Sequence, residues 1–241
     1  MEIVADDALV LTLLPHGEHG AVVRFLGATR GLLSGHVAGA RSKARRAALQ
    51  PGNRVALRLK ARVSGQLPSA EIEIARSRAL LAFAPETAAG VFWVTALVAA
   101  ALPEGVPHPE LAHRLDTLFE RMGSGPGWEA ELVRLEVALL AEMGVGLDLS
   151  SCALGGPADR LAFVSPNSGR AVSSEKAAGK GWAPRLLALP AFLRIDAAAP
   201  PADLAAGLAL TAHFLARDLG PAWTRIAPLR DRMETLLTAR T

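Results

Sequence analysis

The stretch Asn53–Val63, NRVALRLKARV, decides how the N-terminal part of this chain is built. Val55, Leu57, Leu59, Ala61 and Val63 share one parity, while Arg54, Arg58, Lys60 and Arg62 share the other, with Ala56 among them. Side chains of a strand alternate between its faces, so a period of two specifies a half-buried antiparallel strand, apolar inside and cationic outside. Just before it, Pro51-Gly52 is a tight turn and Ser42–Leu49 a polar, basic connector. Just after it, Ser69–Ser77 repeats the alternation, with Ile72 and Ile74 set against Glu71 and Glu73. Toward the N-terminus, Ala8–Leu14, Ala21–Leu26 and Leu32–Ala40 read as strands parted by turn residues at His16–Gly20 and Thr29–Gly31. Short strands punctuated by Gly and Pro across residues 1–80 predict a small closed β-barrel of the OB type.

Beyond Pro85 the apolar period becomes helical. Glu86–Leu102, Pro109–Met122 (Leu111, Leu115, Leu118 and Phe119 on one stripe), Glu129–Met143 (Leu132, Leu135, Leu139 and Met143) and Asp203–Leu219 are predicted helices. Helical character also recurs at Ser174–Gly179 and Ala183–Leu187. The predicted class is therefore α+β, with an OB-fold nucleic-acid-binding barrel over 1–80 and an α-helical domain over 81–241. Within the latter, 151–175 reads as an irregular excursion. The uncharged run Thr87–Pro103, bracketed by Glu86 and Glu104, is shorter than the roughly 20 residues a membrane span needs and reads as a buried helix.

With 51% hydrophobic and 20% charged residues, the chain has ample material for packed cores, although it contains no tyrosine. Cys152 is the one cysteine, which excludes an internal disulfide and fits a reducing, cytoplasmic compartment. The start, MEIVADDALVLTLLP, is acidic and lacks the pattern of a signal peptide.

The net charge of +3 is unevenly spread. Residues 1–80 carry twelve Arg and Lys against six Asp and Glu, so they stand at +6 and the remainder at −3. No acid occurs between Glu18 and Glu71. A row of like charges on one strand is self-repelling unless an anion lies over it. Arg54, Arg58, Lys60 and Arg62, with Arg30 and with Arg41, Lys43, Arg45 and Arg46 on the preceding connector, are the expected contacts to nucleic-acid phosphates. A solvated strand face in an arginine-biased proteome, an acidic protein partner and an anionic lipid surface are the competing readings. Phe25 is the sole aromatic before Phe83, so recognition is expected to rest on phosphates of single and double strands, with little base stacking and strong salt dependence.

Enzyme signatures are weak. Ser173-Ser174-Glu175-Lys176 matches a Ser-x-x-Lys string without its companion motifs. Gly179-Lys180-Gly181 lacks the remainder of a P-loop, and the pairs His16/His19 and His108/His113 lack partners at metal spacing. No catalytic residue, metal ligand or cofactor site is expected, although a triad assembled only in three dimensions would leave no such string.

The ordered set of local strings resembles the RecO family of bacterial DNA repair and recombination proteins. It runs from Ala8-Leu9-Val10-Leu11, Gly17-Glu18 and Thr29-x-Gly31-Leu32-Leu33 through Ala38-Gly39-Ala40-Arg41-Ser42-Lys43 to Leu49-Gln50-Pro51-Gly52. It continues with Glu136–Gly144, Leu147–Cys152, Ala162–Val172 and Leu189-Pro190-Ala191-Phe192-Leu193, and so covers nearly the whole chain. The resemblance implies an OB barrel followed by a helical domain, and a non-enzymatic role. That role is to anneal complementary strands coated by single-strand-binding protein, and to help load the recombinase together with RecR. The C-terminal tail of single-strand-binding protein is the second implied partner. Where such proteins carry zinc, four cysteines in the excursion hold it; here only Cys152 stands there, so a zinc-finger-like excursion without zinc ligands must be held by packing and hydrogen bonds. A protein-interaction adaptor whose helical part binds a partner peptide, with DNA binding secondary, is the alternative.

Overall fold

The computed structural model describes residues 2–61, 65–195 and 199–239. Five strands, β1 (Glu2–His16), β2 (Gly20–Gly27), β3 (Gly31–Val37), β4 (Arg54–Ala61) and β5 (Ser69–Arg76), form a closed barrel in the order β1-β2-β3-β5-β4. β3 and β5 meet in parallel through His36 and Ser69, and the other neighbours are antiparallel. In β4 the alternation holds: Val55, Leu57 and Leu59 are buried while Ala56 and Arg58 face solvent. Arg62 and Val63 lie outside the described residues.

The first strand is longer than its apolar run predicts. Glu2–Leu9 pairs with β4 and Ala8–His16 with β2, and a bulge between Val10 and Thr12 bends the strand from one neighbour toward the other. Ala8 and Val10 join the barrel core with Val23, Phe25, Val55 and Leu57. Leu9 and Leu11 have the opposite parity yet are also buried. Helix α2 (Pro85–Ala101) packs on β1 from outside the barrel strands.

Ser42–Leu49 is not a featureless connector: it contains a six-residue helix, α1 (Lys43–Ala48). So short a helix cannot persist on propensity alone. Its ends are closed by side chains instead. Ser42 Oγ accepts from Arg45 N (3.4 Å), Gln50 Nε2 donates to Arg46 O (3.1 Å), and Asn53 Nδ2 donates to Ala47 O and Ala48 O (2.8 and 3.2 Å). Asn53 is fully buried, and its Oδ1 accepts from Arg78 N at 2.7 Å.

Two compact units are formed, one of Met1–Ser124 with Ile226–Arg240 and one of Gly125–Arg225. The first therefore adds to the barrel α2 (Pro85–Ala101), α3 (Pro109–Ser124) and most of α7 (Pro221–Thr238). Helix α2 is buried along most of its length, including Trp93, Val94, Leu97 and Val98, and no described helix is long and apolar enough to cross a membrane. Arg230 of α7, itself 1% exposed, stacks its guanidinium 5.2 Å from the Trp93 ring centre and donates to Glu234 (2.7 Å). The predicted α3 stripe of Leu111, Leu115, Leu118 and Phe119 is buried. On that helix Asp116 bridges two arginines: Arg78 at 2.5 Å and, through its other oxygen, Arg54. Arg78 also donates to Gly52 O (2.7 Å) and lies over Phe119. Burial pushes its guanidinium down to about 10, still far above neutrality, so it remains charged.

In the second unit α4 (Trp128–Glu142) packs on α6 (Pro201–Leu219), with Thr211 of α6 donating to the buried Glu136 of α4. The excursion expected to be irregular, 151–175, contains two strands, and Ala183–Leu187, expected to be helical, is a single 3-10 turn at Ala183–Arg185 that runs into a third. Strands β6 (Leu161–Val164), β7 (Ala171–Ser173) and β8 (Leu187–Ala188) form a sheet in the order β7-β6-β8, and α5 (Ser174–Ala177) follows β7. Runs this short carry no readable period, and most of their hydrogen bonds reach across the sequence. Asp148 N and O bond to Gly169 O and Ala171 N, Ala153 N donates to Ala171 O, and the Arg194 guanidinium donates to Leu161 O and Ala158 O. Burial raises the Cys152 thiol, but N–H donors of Ser173, Leu154 and Gly156 outweigh it and bring the group down to about 7.

Asp116→Ala strips a near-buried guanidinium of its counter-ion and is expected to cost about 3 kcal/mol; urea unfolding at unchanged m-value reads it, and a loss under about 0.5 kcal/mol would refute the bridge. Gly31 has φ +70°, and a Cβ there would sit 1.7 Å from the Val106 carbonyl oxygen. Gly31→Ala is therefore expected to destabilise by about 3 kcal/mol, seen as a lowered Tm by calorimetry; an unchanged Tm would contradict the close approach.

Candidate nucleic-acid interface

The cations expected to bind phosphate fall into three groups once their surroundings are known. Arg54 is committed within the fold: it contacts Asp7 (2.8 Å) and Asp116, and only a fifth of its side chain is exposed. The acid-free stretch of sequence is thus neutralised in part by carboxylates from β1 and α3. Lys60 is likewise paired, to Glu71 across the β4–β5 ladder at 2.5 Å. The hydrogen bond from Lys60, with Arg58 and Arg45 close by, holds the Glu71 carboxyl below its ordinary range. The outer face of β4 is therefore a mixed-charge surface, not a row of four free cations. Arg62 falls outside the described residues.

Arg45 forms a second category, since it works structurally. It is half-buried, and its Nη1 donates to Ile72 O at 3.0 Å, tying α1 to β5. The third group is open. Arg41, Lys43 and Arg46 around α1, Arg30 on the β2–β3 turn and Arg58 on β4 are exposed, and none has an ion pair among the described residues. The Arg30 turn is itself rigid, because Asp6 Oδ2 accepts from Thr29 N, Thr29 Oγ1 and Arg30 N, each at 3.2 Å. Cations on a fixed frame lose little freedom on meeting an anion. The unneutralised charge of the barrel is thus concentrated on α1, with Arg30 and Arg58 as outliers.

Sequence reasoning missed the residues that make this distribution. Asp116 lies 62 positions from Arg54 and carries no local signal of its role. Asn53 and Gln50 could have been suspected, because amides just past a short helix are candidate caps for its last carbonyls. The Ser173–Lys176 string has a structural explanation: Ser173 is fully buried and caps α5, its Oγ accepting from Lys176 N at 3.3 Å, while the Lys176 side chain is exposed. Among the described residues no group of three or more His, Cys, Asp or Glu is placed to hold a metal ion.

Comparison with known proteins agrees with this architecture. The family described as Recombination protein O N terminal matches residues 1–78, and that described as Recombination protein O C terminal matches residues 82–225. The chain is 45% identical over 237 residues to the DNA repair protein RecO of Paracoccus denitrificans, covering 98% of this chain and 96% of that one. Proteins of the same name from Phenylobacterium zucineum and Caulobacter vibrioides (strain NA1000 / CB15N) are 45% and 43% identical over 228 residues, covering 93% of each chain. With both halves matched in order on one polypeptide, the chain belongs to the RecO family.

Proposed function

We propose that this protein is a non-enzymatic recombination mediator of DNA repair, which grips the phosphate backbone of single- and double-stranded DNA through its barrel. In this reading it anneals complementary strands and helps load recombinase onto protein-coated single strands. RecR and the C-terminal tail of single-strand-binding protein are its partners, and its place is the cytoplasm, at the nucleoid. The observation that carries the DNA-binding part is the cluster of exposed cations around α1, held on a capped helix with no carboxylate partner among the described residues. Annealing, loading and the two protein partners rest on membership of the family.

Phosphate binding releases condensed counter-ions, so each lost contact to duplex DNA lowers the steepness of log K against log salt by about 0.9. The triple variant Arg41→Ala, Lys43→Ala, Arg46→Ala is expected to flatten that slope by about 2.7 and to slow annealing of bare and protein-coated complementary strands alike. Arg54→Ala is expected to lower stability while leaving the slope within about 0.5 of the parent. A triple variant with the parent's slope in a fluorescence-anisotropy salt series would refute the assignment to α1.

A further inference from the structure

The second compact unit carries another cationic surface, and this one includes an aromatic ring. Residues 150–195 hold six Arg and Lys (Arg160, Arg170, Lys176, Lys180, Arg185 and Arg194) against two acids, Asp159 and Glu175. Arg170 is paired with Asp148 and Arg194 bonds to backbone carbonyls. Lys176, Lys180 and Arg185 are exposed and have no ion pair among the described residues. Within the same dozen residues lies Trp182. Trp93 and Trp128 are at most 1% exposed and Trp223 is half-buried, whereas Trp182 is 37% exposed.

The backbone that presents these groups is ordered. Lys180 N donates to Ala177 O (3.1 Å), Ala183 N to Lys180 O (3.0 Å), Arg185 N to Trp182 O (3.0 Å) and Leu186 N to Ala183 O (3.0 Å), so one turn runs into the next. Trp182, at φ −90° and ψ −12°, occupies the third position of a type I turn from Lys180 to Ala183. Gly156 lets the Lys176 stem pass close by, since a Cβ there would come within 2.8 Å of Lys176 Cγ. The indole is therefore carried on a corner of fixed turns, with a lysine two residues before it and an arginine three residues after it.

We propose that Trp182 with Lys176, Lys180 and Arg185 forms a second nucleic-acid site, specific for single strands, in which an unpaired base stacks on the indole and the cations hold the adjoining phosphates. A cationic patch alone would serve any polyanion. A part-exposed indole adds a preference for unstacked bases, because in a duplex the faces of the bases are already covered. Among the described residues of the barrel strands and α1 there is no exposed phenyl or indole ring, since Phe25 is fully buried, and Phe92 of α2 shares a groove with Arg46. This inference stands on residues of the second unit and does not depend on the barrel reading.

Titration of the full chain with oligothymidylate, followed by tryptophan fluorescence and by anisotropy of a labelled strand, tests it. The parent is expected to show quenching. Trp182→Ala should abolish the quench and weaken single-strand binding about fivefold to tenfold, with duplex affinity unchanged. Trp182→Phe should lose the quench but keep most of the affinity, and Lys180→Ala with Arg185→Ala should flatten the single-strand salt slope by about 1.4. Single-strand affinity within twofold of the parent in Trp182→Ala would overturn the proposal, as would a Trp182 signal that responds to anionic vesicles and not to DNA. The barrel triple variant separates the two readings: a persistent quench at saturating DNA supports the second site whatever becomes of the first.

Discussion

Arg78 poses the problem around which the first unit is arranged. A guanidinium with 6% of its side chain exposed has lost most of its hydration, and a charge so placed costs several kcal/mol unless it is neutralised where it stands. Asp116 on α3 supplies the negative charge, Gly52 O a further acceptor and the Phe119 ring a polarisable face. The geometry then propagates through the main chain. With Arg78 fixed, its backbone N–H meets Asn53 Oδ1, and the Asn53 amide in turn closes the last carbonyls of α1. A carboxylate far along the sequence thereby fixes where the basic helix of the barrel sits.

The same carboxylate decides which cations remain free. Because Asp116 of α3 also takes up Arg54, and Glu71 takes up Lys60, part of the positive charge on β4 is balanced within the fold. Ion pairs of this kind gain little in water but are local and numerous, and they remove repulsion along the strand. What they leave over lies at Arg30 and Arg58 and, most densely, around α1 at Arg41, Lys43 and Arg46, none of which has an ion pair among the described residues. Charge that the strand could not have tolerated in a row is placed on a short helix at the barrel's surface.

How much of this could be read in advance depended on how local each cause was. The alternation in Asn53–Val63 reports directly on a strand with one wet face, and the structure has it wherever it is described. The stripe on Pro109–Met122 was equally explicit, since 3/4 spacing of Leu and Phe admits few alternatives. By contrast α1 was hidden, because its stability comes from Gln50 and Asn53 and not from its own residues. Helix α7 was missed, with Pro228 inside it and a run of charged residues at 230–232. The three-stranded sheet of the second unit is not legible in the sequence, where two of its strands fall in a stretch without period and the third ends a run of helical character, because strands of two to four residues are defined by distant partners. At the candidate interface, the excess of positive charge was legible, but its partition between paired and free groups required knowing where Asp7, Glu71 and Asp116 come to lie.

The placement of Arg230 over Trp93 has a consequence for how the protein is made. Trp93 sits near the middle of α2, and Arg230 belongs to a segment translated more than a hundred residues later. The barrel strands and α2 leave the ribosome well before the part of α7 that completes their unit, while the whole of Gly125–Arg225 is synthesised in between. The first unit to begin folding is thus the last to be finished, and until α7 arrives the face of α2 that receives Arg230 lacks its final cover. Nascent chains of this architecture carry an open apolar surface for the time needed to translate an entire second unit, which is the interval in which a chaperone has something to hold.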